Sequence, residues 1–214
     1  MRSSRAFTIV EVLVVTAIVL LLIAILIPSL AKARLQARLV KVRGELYQLG
    51  VALETYAHVA RAYPPAFDVC AGAGHKVEDY NHLPEELTLM RCIAGLPEDP
   101  FNAGRSYKYL AAGIARGNQG EYTKVCVWVP DGWPHYPREA EPDSGTWHCQ
   151  ARTSPVKWAV WSVGPRGPLR FDESKAARVP VPKRTWYRKG SGPRGPGVVA
   201  LFRADVPQEF LWSD

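Results

Sequence analysis

A run of 21 residues from Phe7 to Ile27, apolar except for Thr8, Glu11 and Thr16, stands near the start of the chain. At ~1.5 Å of rise per residue such a run makes a helix of ~30 Å, about the thickness of one hydrocarbon core. A helix apolar on every side needs lipid or the middle of a large protein around it. The 214 residues leave room for one span and one soluble domain of about 150 residues, with a modest core. Glu11 is the exception within the run, because an ionised carboxylate near the end of a spanning helix is costly unless something pairs with it. A secretory signal peptide has a shorter apolar core and no acid inside it. A plain signal anchor, with Glu11 at headgroup level, is the other reading that physics alone allows.

The residues that carry the acid say more. Arg5-Ala6-Phe7-Thr8-Ile9-Val10-Glu11-Val12-Leu13 resembles the prepilin cleavage and methylation motif of type IV pilins and type II secretion pseudopilins. The resemblance implies a leader of residues 1–6, cut by a prepilin peptidase between Ala6 and Phe7, and N-methylation of the new Phe7 amine. Ala6 departs from the glycine that the family usually has before the cut. Glu11 falls on the family's glutamate, and Pro28 on a proline that many members carry where the apolar run ends. The implied partners are copies of the chain and other pseudopilins in a helical filament, the peptidase, an inner-membrane assembly platform and lipid. In a bundle of identical subunits, the amine of Phe7 on an entering protomer can neutralise Glu11 of a neighbour. The cost of the buried charge is then recovered on assembly, and removing one partner of such a pair typically costs ~3–5 kcal/mol.

Charge counting and the resemblance disagree about orientation. Arg2 and Arg5 precede the span, whereas Lys32, Arg34, Arg38, Lys41 and Arg43 follow it, so the positive-inside rule places the C-terminal part in the cytoplasm. The motif instead implies a cytoplasmic N-terminus in the bacterial inner membrane and a periplasmic domain, and we follow it. The net charge of +7 falls to +5 once Arg2 and Arg5 leave with the leader, and the remaining cations are scattered along the chain.

Beyond residues 7–28, expected to span the membrane, the helix continues over residues 29–62. Leu35, Leu39, Val42, Leu46, Leu49, Leu53, Tyr56 and Ala60 recur at steps of three and four, with charged residues on the other faces. Such a stripe is an ordinary core face, here expected to lie under a β-sheet. Pro28 should kink the helix, and Gly44 and Gly50 should each loosen it by about 1 kcal/mol relative to Ala. Tyr63-Pro64-Pro65 ends the helix. Residues 63–104 read as a connecting region with one short helix at Pro84–Ala94. Residues 105–214 read as the sheet domain, its strands at Arg105–Ala111, Tyr122–Val129, Val156–Val163 and Gly197–Phe202. The fold class is α+β and pilin-like: a long N-terminal helix, membrane-embedded in its first half, packed on a small antiparallel sheet.

A second likeness lies in the sheet domain. Leu96-Pro97-Glu98-Asp99-Pro100-Phe101-Asn102 followed by Tyr107-Lys108-Tyr109 is similar to the turn that leads major pseudopilins into their first strand. Trp158-Ala159-Val160-Trp161-Ser162-Val163-Gly164 is similar to their strand ending in a Ser-x-Gly turn. In those proteins acids commonly follow and help to bind calcium. Here the chain reads Pro165-Arg166-Gly167-Pro168, with Asp172 and Glu173 further on. A cation where an oxygen ligand is expected argues against calcium, and no cofactor is expected.

Four cysteines, Cys70, Cys92, Cys126 and Cys149, follow the span. In an exported domain they can form two disulfides; sequence proximity favours Cys70 with Cys92 and Cys126 with Cys149. No CxxC or HxxxH spacing supports zinc. Segments 130–155 and 165–196 are rich in Pro and Gly and too irregular for core. In the second, Lys183, Arg184, Arg188 and Lys189 surround Trp186 and Tyr187, and interleaved cations and aromatics can hold single-stranded DNA. The competing reading, which we prefer, is a solvated loop whose rings pack on the sheet edge. The chain has no GxSxG, P-loop, HExxH or dinucleotide motif, so an enzyme is not expected. The expected function is a pseudopilin of a type II secretion-like periplasmic filament. The alternatives are a minor type IV pilin or competence-type DNA-binding subunit, and a monomeric membrane-anchored binding domain.

Overall fold

The structure, a computed structural model, describes residues 8–67, 81–117, 120–135, 144–165, 186–187, 195 and 197–204. The chain divides into two compact units, residues 1–37 and 38–214. Helix α1, Ile9–Ala60, supplies the described part of the first and opens the second.

In the first unit the helix is long and apolar enough to cross a membrane. Its large apolar side chains between Ile9 and Leu30 are all exposed, from Ile9 at 81% to Ile23 at 43%. Its Thr16 hydroxyl donates to the Leu13 carbonyl at 2.9 Å, the internal bond that a hydroxyl in hydrocarbon would need. Pro28 lies inside α1. Its missing N–H leaves the carbonyl four residues earlier without its usual donor, yet the helix runs on.

In the second unit α1 buries Val42, Leu46, Leu49, Gly50, Ala52 and Leu53. They pack into a core shared with β2 (Lys108–Ala111), β7 (Val156–Ser162) and β8 (Val199–Ala204). These strands form one antiparallel sheet with β7 in the middle. Its centre explains the composition of β7: six of its seven residues are buried, as expected for a strand covered on both faces. On one face Gly50 of α1 lies against β7 and β8. A methyl group at Gly50 would sit 3.1 Å from both Trp158 and Leu201. On the other face Trp186 stacks on Phe202 with ring centroids 5.5 Å apart, and Trp133 meets Phe202 edge-on at 6.5 Å.

The β-structure is divided more finely than a single four-stranded sheet. β1 (Ala66–Phe67), β3 (Gly113–Arg116) and β4 (Tyr122–Val125) form a second sheet, in which β1 and β3 run parallel. The expected strand Tyr122–Val129 breaks at Cys126, so that β4 joins that sheet while β5 (Val127–Pro130) pairs with β6 (Gly145–His148). β6 lies inside the segment expected to be irregular. The helix expected over Pro84–Ala94 contracts to α2, Glu86–Leu89. The chain beyond α2 turns back through Arg91 at φ +56°, and the Cys92 and Ile93 amides both donate to the Leu87 carbonyl.

Candidate functional site

The residues singled out by sequence fall at three places. The first is the start of α1. Thr8 is its N-cap, and the Glu11 Oε2 carboxylate oxygen accepts both the Thr8 amide, at 2.9 Å, and the Thr8 hydroxyl, at 2.8 Å. The Glu11 amide donates back to the Thr8 hydroxyl at 3.3 Å. This is a capping box, which satisfies otherwise orphaned donors at a helix start. Sequence reasoning passed over the role of Thr8, although T-x-x-E spacing before an apolar run is its signature. Among the described residues Glu11 Oε1 has no donor. Ala6 and Phe7 lie outside the described residues.

The second place is the join between the Asp99 turn and the end of β7. Asp99 is 1% exposed. Its Oδ1 accepts the Phe101 amide at 2.9 Å and the Ser162 hydroxyl at 2.8 Å, and its Oδ2 accepts the Val163 amide at 2.9 Å. The Gly164 amide closes the turn onto the Ser162 oxygen at 3.2 Å. Gly164 has φ +77°, and a side chain there would strike the Gly197 carbonyl. The two segments carrying the second sequence likeness are thus in contact. Burial pushes the Asp99 carboxyl upward, while the Phe101, Ser162 and Val163 donors and the Lys108 charge pull it back. Both carboxylate oxygens are engaged, so Asp99 is a structural knot. No group of three His, Cys, Asp or Glu residues gathers as a metal ligand set among the described residues. Arg166, Asp172 and Glu173, where the calcium question arose, lie outside them.

The third place is the β5–β6 ribbon. A disulfide joins Cys126 and Cys149, each one residue beyond the Val127–His148 pair that ends the ladder. The bond closes a loop of 23 residues, a constraint of the kind worth about 3 kcal/mol. Cys92 is a free, half-buried thiol, so the pairing with Cys70 is not made, and Cys70 itself lies outside the described residues. Trp186 and Tyr187 are each 4% exposed, and the Tyr187 amide donates to the Val198 carbonyl at 2.8 Å. Buried rings offer no face to a base, which removes Trp186 and Tyr187 from the alternative, nucleic-acid reading and agrees with the preferred one of rings packed on the sheet. Lys183, Arg184, Arg188 and Lys189 lie outside the described residues.

Two glutamates of α1 hold the second unit's helix to its sheet. Glu45 accepts the Tyr107 hydroxyl. Glu54 Oε1 accepts the Trp158 indole N–H at 2.8 Å and the Tyr63 hydroxyl at 3.2 Å, with Arg203 Nε at 3.7 Å. Burial and the Glu54 charge push the Tyr63 phenol up to about 12.

Over 112 residues the chain is 29% identical to type II secretion system core protein G of Pseudomonas aeruginosa, a match covering 52% of this chain and 77% of that protein. The fold is pilin-like. The match supports the pilin and pseudopilin family and agrees with the pilin-like order of a long N-terminal helix followed by small, mainly antiparallel sheets. No family model matches the chain. No solved structure matches it.

Proposed function

We propose that this chain is a pseudopilin, a structural subunit of a type II secretion-like periplasmic filament. The observation that carries the reading is an uncovered helix of membrane length with an acid in its first turn, on a chain similar to a secretion-system core protein. In this reading residues 1–6 are the leader, 7–28 the span, 29–62 the continuing helix, 63–104 the connection and 105–214 the sheet domain. Prepilin peptidase cuts between Ala6 and Phe7, and the Phe7 amine is methylated. The subunit waits in the inner membrane with Glu11 held by Thr8. On assembly at the membrane platform, the Phe7 amine of one protomer meets a neighbour's Glu11 carboxylate, and Pro28 marks the end of the span. The Cys126–Cys149 bond supports an oxidising compartment for the C-terminal domain, on the side opposite to the one that charge counting gives. The work is structural, and no catalytic role is assigned.

Intact mass of the membrane-purified protein tests processing: loss of residues 1–6 and gain of one methyl group are expected. Cysteine crosslinking between subunits tests assembly, where Glu11→Ala should still insert yet yield few crosslinked multimers. A retained Met1 terminus, or unchanged multimers in Glu11→Ala, overturns the reading.

A further inference from the structure

The first unit does not end with its apolar run. Beyond Ile27, α1 continues into Leu30-Ala31-Lys32-Ala33-Arg34, and each of these five residues is exposed. At ~1.5 Å of rise per residue, Lys32 stands ~7.5 Å and Arg34 ~10.5 Å past Ile27 along the axis. The headgroup layer on each side of a hydrocarbon core is about 5–7 Å deep. Side chains on a helix lean toward its N-terminus, so both cations lean back toward the span. Their apolar stems let the charged ends snorkel down to phosphate level. Ala31 and Ala33 are too short to stand in the way.

The position has a cost that calls for a partner. Cations beside the exported end of a span oppose its insertion, and in the orientation proposed above Lys32 and Arg34 stand at that end. The helix supplies neither of them with a carboxylate three or four residues away, because no acid follows Glu11 in the chain before Glu45. Two steps of ~100° put the two side chains ~200° apart around the axis, so they face different neighbours in the bilayer.

We infer that Lys32 and Arg34 hold the phosphates of anionic phospholipids, one lipid on either side of the helix. The occupant is a lipid because the two cations stand at the one depth where the bilayer itself concentrates phosphate. A cation at the membrane surface favours an anionic headgroup over a zwitterionic one by about fivefold. The inference rests on the spanning segment of the proposed function and on nothing in its processing or filament assembly.

For the test, the full chain is reconstituted into nanodiscs of equal phosphatidylglycerol and phosphatidylcholine with matched acyl chains, and native mass spectrometry identifies the lipids retained when the chain is ejected. Phosphatidylglycerol should be retained about fivefold or more over phosphatidylcholine. The double variant Lys32→Gln and Arg34→Gln should fall to equal retention, while Lys32→Arg should keep the preference. Arg43→Gln, a charge change in the second unit, should leave it unchanged. Equal retention by the parent chain, a preference that survives in the double variant, or one that Arg43→Gln removes just as well overturns the inference. So does loss of the preference on adding inorganic phosphate at matched ionic strength, which would assign the cations to a free anion. A chain that does not co-elute with the nanodiscs overturns the span and the inference with it, whereas one that co-elutes without a lipid preference overturns the inference alone.

Discussion

The two parts of α1 both carry large apolar side chains, which meet opposite surroundings. Between Ile9 and Leu30 the large apolar side chains are all 43% exposed or more, whereas Val42, Leu46, Leu49 and Leu53 are at most 1% exposed. A solvent-facing stripe also survives beside the buried one, at Val40, Tyr47 and Val51. The contrast teaches that helix formation alone does not decide burial. The second part is amphipathic, so one face has a sheet to meet and the others carry charge. The first part is apolar all round, and only an apolar surrounding supplied from outside the chain can satisfy it.

The largest expected effect separates the two parts directly. Leu53→Ala should destabilise the second unit by about 2–5 kcal/mol, while Ile18→Ala should leave its urea midpoint unchanged. All seven tryptophans lie after residue 127, so their fluorescence in micelles reports the second unit alone. An equal shift from both substitutions would break the comparison. Asp99→Ala comes next. It leaves the Phe101 and Val163 amides and the Ser162 hydroxyl without their acceptor, and a loss of about 2–3 kcal/mol is expected in the same titration. Smaller still is a pair of glycines six positions apart. Gly44 meets nothing within 4 Å, so Gly44→Ala should raise helix stability by about 0.5–1 kcal/mol. Gly50→Ala should forfeit that gain against Trp158 and Leu201.

The smallest effect is one of pH. Burial holds the His82 imidazole below its ordinary 6.5, outweighing the Leu83 carbonyl that pulls the other way. The ring also lies on Phe67 at 3.9 Å between centroids. The unfolded chain therefore takes up the proton first. Stability is full above about 6.5 and declines as pH falls toward the folded value. His82→Gln should flatten the midpoint between pH 8 and 5, and an unchanged slope would remove His82 as its source.

Much of this was legible because the signals are local and periodic. The stripe from Leu39 to Leu53 lands in the core, and β7 and β8 form where β-branched and aromatic runs stand. What was missed depends on partners far away in sequence. Gly145–His148 has little strand character of its own and exists by pairing with β5 under the disulfide. β4 and β5 part at Cys126 because they join different sheets, which no run of apolar residues reveals. At the candidate sites the family motif located Glu11, but its bond to Thr8 needed geometry. The Asp99 turn and the Ser162 turn were each visible, and their contact across 63 residues was not.

Glu45 and Glu54 have a mechanical consequence. At ~100° per residue they project on opposite sides of the leucine stripe and stand ~13 Å apart along the axis. Leucines alone would tolerate a slip of one helical turn, or a small roll, at modest cost. Two carboxylates reaching for Tyr107 on one flank and Trp158 on the other act like dowels in a joint, so the rod can neither slide nor rotate on its sheet without pulling a pin.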